Sequence, residues 1–157
     1  MTEEEVSVAL FMAASRDDEI EVLSWQSIDG KNYFAFDIKL RLPTNERMEP
    51  DLILKSGSLW LIEVKGLHSE AIDDEQKLVR LVRELGETQV VEQVYRRAGK
   101  LERDAPDIAL AVAFGEDDLR GSSQRCEASV SHINWSIAPA EVERAGLARY
   151  LDALTQV

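Results

Sequence analysis

Two apolar stretches, Glu49-Pro50-Asp51-Leu52-Ile53-Leu54 and Leu59-Trp60-Leu61-Ile62-Glu63-Val64-Lys65-Gly66, decide the fold of this chain. Both are short and rich in Leu and Ile, which is typical of buried strands. The segment between them, Lys55-Ser56-Gly57-Ser58, has the glycine and serines that favour a tight turn. The sequence therefore predicts two adjacent strands paired as a hairpin.

Three charged residues, Asp51, Glu63 and Lys65, interrupt these apolar stretches. Buried strands rarely carry a charge unless the charge is paired, binds a metal or takes part in chemistry. Because side chains alternate along a strand, Glu63 and Lys65 lie on one face, and Ile62 and Val64 lie on the other. Hairpin pairing brings Asp51 close to the charged face. We therefore predict that two carboxylates and an ammonium group meet at one end of a sheet.

Such a cluster predicts a divalent cation. Two carboxylates held close together repel each other and favour a cation between them. Oxygen ligands suit Mg²⁺, or Mn²⁺ as its substitute, and the backbone carbonyl of Val64 is placed to add a third ligand to Asp51 and Glu63. Lys65 can hydrogen-bond a water molecule and stabilise developing negative charge. The combination indicates hydrolysis of a phosphodiester bond.

The pattern Pro50-Asp51 followed by Glu63-Val64-Lys65 resembles the PD-(D/E)XK nuclease superfamily, which includes many restriction endonucleases. The resemblance covers roughly residues 1–115. It implies an α/β, restriction endonuclease-like core with a central mixed β-sheet flanked by helices in the order αβββαβ, here followed by a C-terminal strand and helix and containing one extra strand. It also implies that Asp51 and Glu63 bind Mg²⁺, that Lys65 is the catalytic lysine, and that DNA is cut to leave 5′-phosphate and 3′-hydroxyl ends.

The same resemblance suggests two further site residues. A glutamate of the first helix often completes the metal site, for which Glu5 is the first candidate and Glu4 the second. A glutamine of the helix before the fourth strand helps to orient phosphate or the lysine, and Gln93 fits this position. Simpler interpretations remain open, because Thr2 and Glu5 have capping-box spacing and Gln93 can belong to a solvated helix face. In one branch of the superfamily, this Gln is followed by a Tyr at a fixed four-residue step. The sequence Gln93-Val94-Tyr95 departs from that spacing, so the branch stays undecided.

The net charge is unusual for a DNA-binding protein. The chain has 18 Lys and Arg against 30 Asp and Glu, a formal charge of −12, whereas nucleic-acid binders usually have a basic surface. Divalent cations can neutralise the carboxylates, or a basic protein partner can supply affinity for DNA. A third possibility is a local basic face formed in the central helices by Arg80, Arg83, Arg96, Arg97, Lys100 and Arg103.

Other functions fit parts of the same pattern. The chain could be a non-catalytic or regulatory subunit that keeps a nuclease-like fold and docks on a basic partner protein. It could also act on RNA or on a nucleotide. A Glu-x-Lys pair at a hairpin edge can be a salt bridge without function. The apolar stripe of the last helix, which contains Leu147 and Leu151, is expected to pack on the sheet or, as the second choice, to form a homodimer contact.

Composition limits the remaining choices. The length predicts a single domain over residues 1–157. The lone cysteine, Cys126, excludes a disulfide framework, and neither His68 nor His132 has partners at zinc-ligand spacing. The start of the chain lacks the basic region of a signal peptide, and no apolar run is long enough to cross a membrane. We therefore expect a cytoplasmic protein without a membrane partner.

Periodicity predicts the order of the other elements. A first helix spans Glu3 to Ala14, and a long alternating strand, with Asp37 on its polar face, extends the sheet. Gly86 is expected to interrupt a long helical region. The full set of predicted elements is a helix at 3–14, strands at 20–25 and 33–42, helices within 73–104, strands at 107–114 and 133–137, and a last helix from Pro139.

Overall fold

The computed structural model describes residues 2–26, 38–66, 71–101, 104–115 and 129–155, without the side chains of residues 71 and 72. Asp37, His68, Arg103 and Cys126 lie outside the described residues, as does most of the strand predicted at 33–42. In chain order the elements are α1 Glu3–Ser15, β1 Glu21–Trp25, β2 Leu40–Arg41, β3 Arg47–Met48, β4 Leu52–Ser56, β5 Ser58–Val64, α2 Ala71–Leu85, α3 Glu87–Ala98, β6 Ile108–Phe114, β7 Val130–Asn134, α4 Ala138–Ala145 and α5 Leu147–Thr155.

A five-stranded mixed sheet forms the centre of the molecule, in the order β1-β4-β5-β6-β7. The strands β1, β4 and β5 are antiparallel neighbours, whereas β5, β6 and β7 run parallel. Because a parallel connection must cross from one end of the sheet to the other, the chain returns through α2 and α3 between β5 and β6. The predicted α/β class, with a mixed sheet flanked by helices, is confirmed.

The predicted hairpin is formed by β4 and β5. Gly57 alone separates the two strands and has a φ of 68°, which glycine adopts without steric cost. The register pairs Ser56 with Ser58 and Leu52 with Ile62. One step beyond this last pair, the register places Asp51 opposite Glu63. The turn and the alternation of β5 thus determine which charged residues meet.

Both faces of the sheet are covered, which explains why its central strands are so apolar. On one face, Trp60, Ile62 and Val64 of β5 pack with buried residues of α1, α4 and α5. On the other face, Leu59 and Leu61 pack with buried residues of α2 and α3. Glu63 follows the parity of Leu59 and Leu61, so its side chain lies on the face covered by α2 and α3.

The first helix has the capping box that its sequence predicts. Thr2 Oγ1 accepts a hydrogen bond from the Glu5 backbone N–H at 3.1 Å, and the Glu5 carboxylate accepts one from the Thr2 N–H at 3.4 Å. The ring of Phe11 stacks on Trp25 with centroids 4.0 Å apart, and Trp25 Nε1 donates to Ser7 Oγ at 3.0 Å. These contacts hold α1 against β1.

Glycines set the breaks between helices. Gly86, with a φ of 82°, separates α2 from α3, as predicted. The single C-terminal helix predicted from Pro139 is wrong, because Gly146, with a φ of 89°, divides it into α4 and α5. Asp17 Oδ2 accepts a hydrogen bond from the Ala148 N–H at 2.9 Å, which ties the start of α5 to the loop after α1.

Two strand predictions also need correction. In the described part of 33–42, only Leu40–Arg41 is a strand, and it pairs with Arg47–Met48 in a separate ribbon instead of extending the central sheet. The predicted alternation is correct there, since Ile38, Leu40 and Leu42 are buried and Arg41 is exposed. The last strand begins at Val130, earlier than the predicted Ile133, because it pairs with β6 from Leu110 onward. No helix in the described ranges has the combined length and hydropathy of a transmembrane segment.

Candidate functional site

The carboxyl groups of Asp51 and Glu63 meet at the end of the β4–β5 hairpin. They are hydrogen-bonded to each other. Asp51 Oδ2 also accepts a hydrogen bond from the Val64 N–H at 2.8 Å, and the Asp51 carbonyl accepts one from the Gln26 N–H at 2.9 Å. Asp51 is therefore fixed between its two neighbouring strands, and its side chain points at Glu63. The predicted convergence of these two residues is observed.

The surroundings of Glu63 strongly raise the pKa of its carboxyl group. Burial, followed by the negative charge of Asp51 and the hydrogen bond with it, raises the pKa of Glu63 to about 10. Asp74 adds to the increase in this pKa, and Lys77 opposes it. A hydrogen bond between two carboxyl groups needs a proton on one of them, and the raised pKa means that this proton stays bound at neutral pH.

Lys65 lies beside the pair and faces another carboxylate. Its Nζ is 3.6 Å from Asp74 Oδ2 of α2, and about a third of its side chain is exposed. Burial alone would lower the pKa of Lys65, but the negative charges of Asp74, Glu3 and Asp51 outweigh this effect and raise it. Lys65 is thus a cation at neutral pH that can still reach solvent.

The first turn of α2 adds two buried acids that the sequence analysis did not single out. Asp74 and Glu75 are only 3% and 1% exposed. Asp74 is held by Lys65 and by Lys77, the latter at 3.8 Å, and burial raises the pKa of Asp74. Among the atoms that the structure describes, Asp74 Oδ2 and Glu75 Oε2 have no hydrogen-bond partner. A sequence signal existed, since Asp74 lies four residues before the buried Leu78, on the apolar stripe of the helix.

Glu75 and His132 join α2 to the edge strand β7. Glu75 Oε1 pairs with His132 Nε2. The His132 ring packs edge-on against Phe114 of β6, with centroids 6.0 Å apart. The contact explains how an acid can be buried in the first turn of α2, because its carboxylate is met by an imidazole on the sheet. His132 therefore makes a buried side-chain contact with α2, which its sequence neighbours do not indicate.

Glu5 is not among the residues that act on this cluster. It is exposed, and its carboxylate closes the capping box with Thr2. Among the three acids of the first turn, Glu3 is the one whose negative charge helps to raise the pKa of Lys65. Consecutive helix residues are about 100° apart around the axis, so a shift of two residues changes the direction of the side chain completely.

Gln93 contacts the backbone of the β2–β3 ribbon. Its Oε1 accepts from the Arg41 N–H at 2.9 Å, and its Nε2 donates to the Arg41 carbonyl at 3.2 Å. The amide thus continues the hydrogen-bond ladder of β2 and fastens the ribbon to α3. None of these contacts involves Asp51, Glu63 or Lys65.

The donor set fits a magnesium ion in part. No group of three or more His, Cys, Asp or Glu side chains in the described ranges is arranged to hold a metal. Mg²⁺, however, is usually bound through one or two carboxylates together with water and substrate oxygens. Asp51 and Glu63, with the Val64 carbonyl, provide oxygen ligands of this kind, and the proton that they share marks where a cation would neutralise them.

Comparison of the whole chain with models of protein families, with curated proteins and with solved structures gives no match.

Proposed function

We propose that this protein is a metal-dependent nuclease of the PD-(D/E)XK type that hydrolyses phosphodiester bonds in DNA, with Mg²⁺ or its substitute Mn²⁺. The carrying observation is the meeting of Asp51 and Glu63 at the end of the β4–β5 hairpin, with Lys65 beside them. The order of elements supports the proposal. Apart from the separate β2–β3 ribbon, α1 is followed by the antiparallel strands β1, β4 and β5, then by α2 and α3, and then by the parallel strand β6, which resembles the αβββαβ pattern with two helices in place of the second one.

Each of the three residues has a distinct role in the proposed reaction. Asp51, Glu63 and the Val64 carbonyl would hold the cation. The bound cation would supply positive charge at the phosphate and would make a water molecule more acidic. Lys65, kept protonated by its raised pKa, would donate to a phosphate oxygen or orient the attacking water, so it would act as an electrostatic stabiliser and not as a base.

Asp74 would position Lys65 without touching the substrate. The ion pair at 3.6 Å restrains a long, flexible side chain near the carboxylates. Asp74 is nearly fully buried on α2, so the position of this helix determines where the Lys65 ammonium group lies. A lysine side chain that is already held in place loses less conformational entropy when the charged transition state forms than a mobile lysine does.

Calorimetry and a cleavage assay test the proposal. We expect Mg²⁺ to bind the parent protein, and to bind Asp51→Asn and Glu63→Gln much more weakly. Lys65→Met should abolish cutting of plasmid DNA and labelled oligonucleotides without unfolding the domain. Lys55→Met is a matched control, because Lys55 pairs with Asp104 at 3.3 Å at the opposite end of the same hairpin. Cleavage by Lys65→Met at the parent rate would refute the proposal.

A second candidate function is a non-catalytic or regulatory subunit that docks on a basic partner protein. The Lys65–Asp74 ion pair favours it, because such a pair can be purely structural, and the net charge of −12 suits a basic partner. An intact motif with no heat of Mg²⁺ or Mn²⁺ binding would favour this candidate. A side-by-side digest of duplex DNA, single-stranded DNA and RNA would separate the possible substrates.

A further inference from the structure

A positively charged pocket lies away from the carboxylate cluster, between the β2–β3 ribbon and α3. It encloses about 500 Å³. No carboxylate belongs to its lining in the part of the chain that the structure describes. The polar residues that line it are Arg41, Asn45, Gln89, Gln93, Arg96 and Arg97.

Among the described residues, the three arginines of this pocket have no acidic partner, unlike two cations that lie on α2 and at the end of α3. Arg80 pairs with Glu46 at 2.7 Å, and Lys100 pairs with Glu21 at 2.6 Å. Within the described ranges, by contrast, no carboxylate lies within ion-pair distance of Arg41, Arg96 or Arg97. The arginines are exposed and available to a ligand.

The fold holds these like charges together at a cost. Arg41 lies directly opposite Arg47 in the ribbon, and cross-strand pairs of like charge destabilise a sheet. The two hydrogen bonds from Gln93 fix the Arg41 backbone against α3, one turn from Arg96 and Arg97. An anion in the pocket would neutralise Arg41, Arg96 and Arg97, and guanidinium groups match phosphate oxygens in charge and geometry.

The position of the pocket relates it to the carboxylate cluster. Both lie on the face of the sheet that α2 and α3 cover, with Asp74 near one end of α2 and Leu85 at the other. These residues are eleven positions apart, which corresponds to about 17 Å along a helix. Phosphates of one B-form strand advance about 3.4 Å per nucleotide, so about five nucleotides span this distance.

We propose that the pocket of Arg41, Arg96 and Arg97 binds a backbone phosphate of a nucleic acid, about five nucleotides from the bond at the carboxylate cluster. The expected distance of about five nucleotides rests on the proposed nuclease function. The expected affinity for phosphate depends only on the arginines of the pocket. The pocket supplies the local basic surface that an otherwise acidic chain needs to hold a polyanion.

The test measures binding without cleavage. Fluorescence anisotropy with labelled oligonucleotides in EDTA compares the parent with Arg96→Gln/Arg97→Gln and with Arg41→Gln. At about 0.1 M salt, each lost contact to a single strand should weaken binding about fivefold, and the slope of log K against log salt should fall by about 0.7. The matched control, Arg144→Gln/Arg149→Gln, removes the same charge from α4 and α5 on the opposite face of the sheet.

Each outcome decides for or against the pocket. Selective weakening in the pocket variants supports it, and equal weakening in the control overturns it. A parent that binds no oligonucleotide also overturns it, even if inorganic phosphate protects the protein from thermal unfolding, because the ligand would then be free phosphate. Failure of the nuclease proposal is seen separately, because the cleavage assay with Mg²⁺ tests that proposal and the binding assay in EDTA tests the pocket.

Discussion

Replacing Glu63 by glutamine is expected to make the folded protein more stable at neutral and alkaline pH. The carboxyl group of Glu63 contacts that of Asp51, and its pKa is raised from 4.5 to about 10. Because the folded pKa lies above the unfolded one, the folded state must keep a proton that the unfolded chain has released. The parent therefore loses stability as the pH rises from about 4.5 toward 10. A glutamine amide can donate to Asp51 as the protonated acid does, without this dependence on pH.

The size of the effect follows from the shift. One pKa unit corresponds to about 1.4 kcal/mol, so the interval from 4.5 to about pH 8 gives an upper limit of about 5 kcal/mol. Water reaching the site and relaxation of the pair reduce this value. We expect Glu63→Gln to gain at least about 2 kcal/mol in free energy of unfolding at about pH 8, and to match the parent near about pH 5.

Urea denaturation at a series of pH values in EDTA measures this gain. Glu143→Gln is the control, because it removes the same charge from an exposed position on α4 and should change the stability by less than about 0.5 kcal/mol. Adding Mg²⁺ should stabilise the parent at high pH but not Glu63→Gln, since the cation replaces the shared proton. If Glu63→Gln is less stable than the parent at about pH 8, or if the difference does not grow with pH, the two carboxyl groups are not in contact.

Other substitutions separate catalytic from structural roles. Lys65→Met should lower the rate of plasmid nicking by about 10²–10⁴-fold, and adding Asp74→Asn should restore stability in urea but not activity, because it removes a buried charge that would have, among the described residues, only Lys77 as its partner. Gln93→Ala should lower the free energy of unfolding by about 1–2 kcal/mol, through two lost hydrogen bonds to β2, with an unchanged nicking rate at saturating DNA. Glu5→Gln should leave the Mg²⁺ affinity unchanged in calorimetry, whereas Glu3→Gln should lower the pKa of Lys65 in an NMR titration.

The parts of the fold that depend on local sequence were predictable. A single glycine closes the β4–β5 hairpin, and strict alternation in β5 separates Glu63 from Ile62. These two local rules were enough to place Asp51 beside Glu63. The break at Gly86 was predictable from local sequence too, since a glycine within a helical pattern destabilises the helix and favours a break.

The parts that depend on distant contacts were not predictable. Acids in the first turn of a helix usually stay in solvent and complement the helix dipole, so the position of Asp74 on the apolar stripe of α2 was not enough to predict that Asp74 and Glu75 are buried. Only the packing of α2 on β5 and β7 buries them, and the partner of Glu75 lies 57 residues away at His132. Gln93 is a similar case, because its partner backbone at Arg41 is 52 residues distant.

The crossover between β5 and β6 has a consequence for how the protein folds. The hairpin that carries Asp51 and Glu63 is local and can form early, with both carboxylates still hydrated. The later docking of α2 removes that water, so this step takes up a proton at neutral pH. Alkaline solution should thus slow the final assembly of the domain, and a divalent ion should restore its speed. The final folding step of this domain then depends on whether a proton or a divalent ion is available to bind between Asp51 and Glu63 when α2 docks.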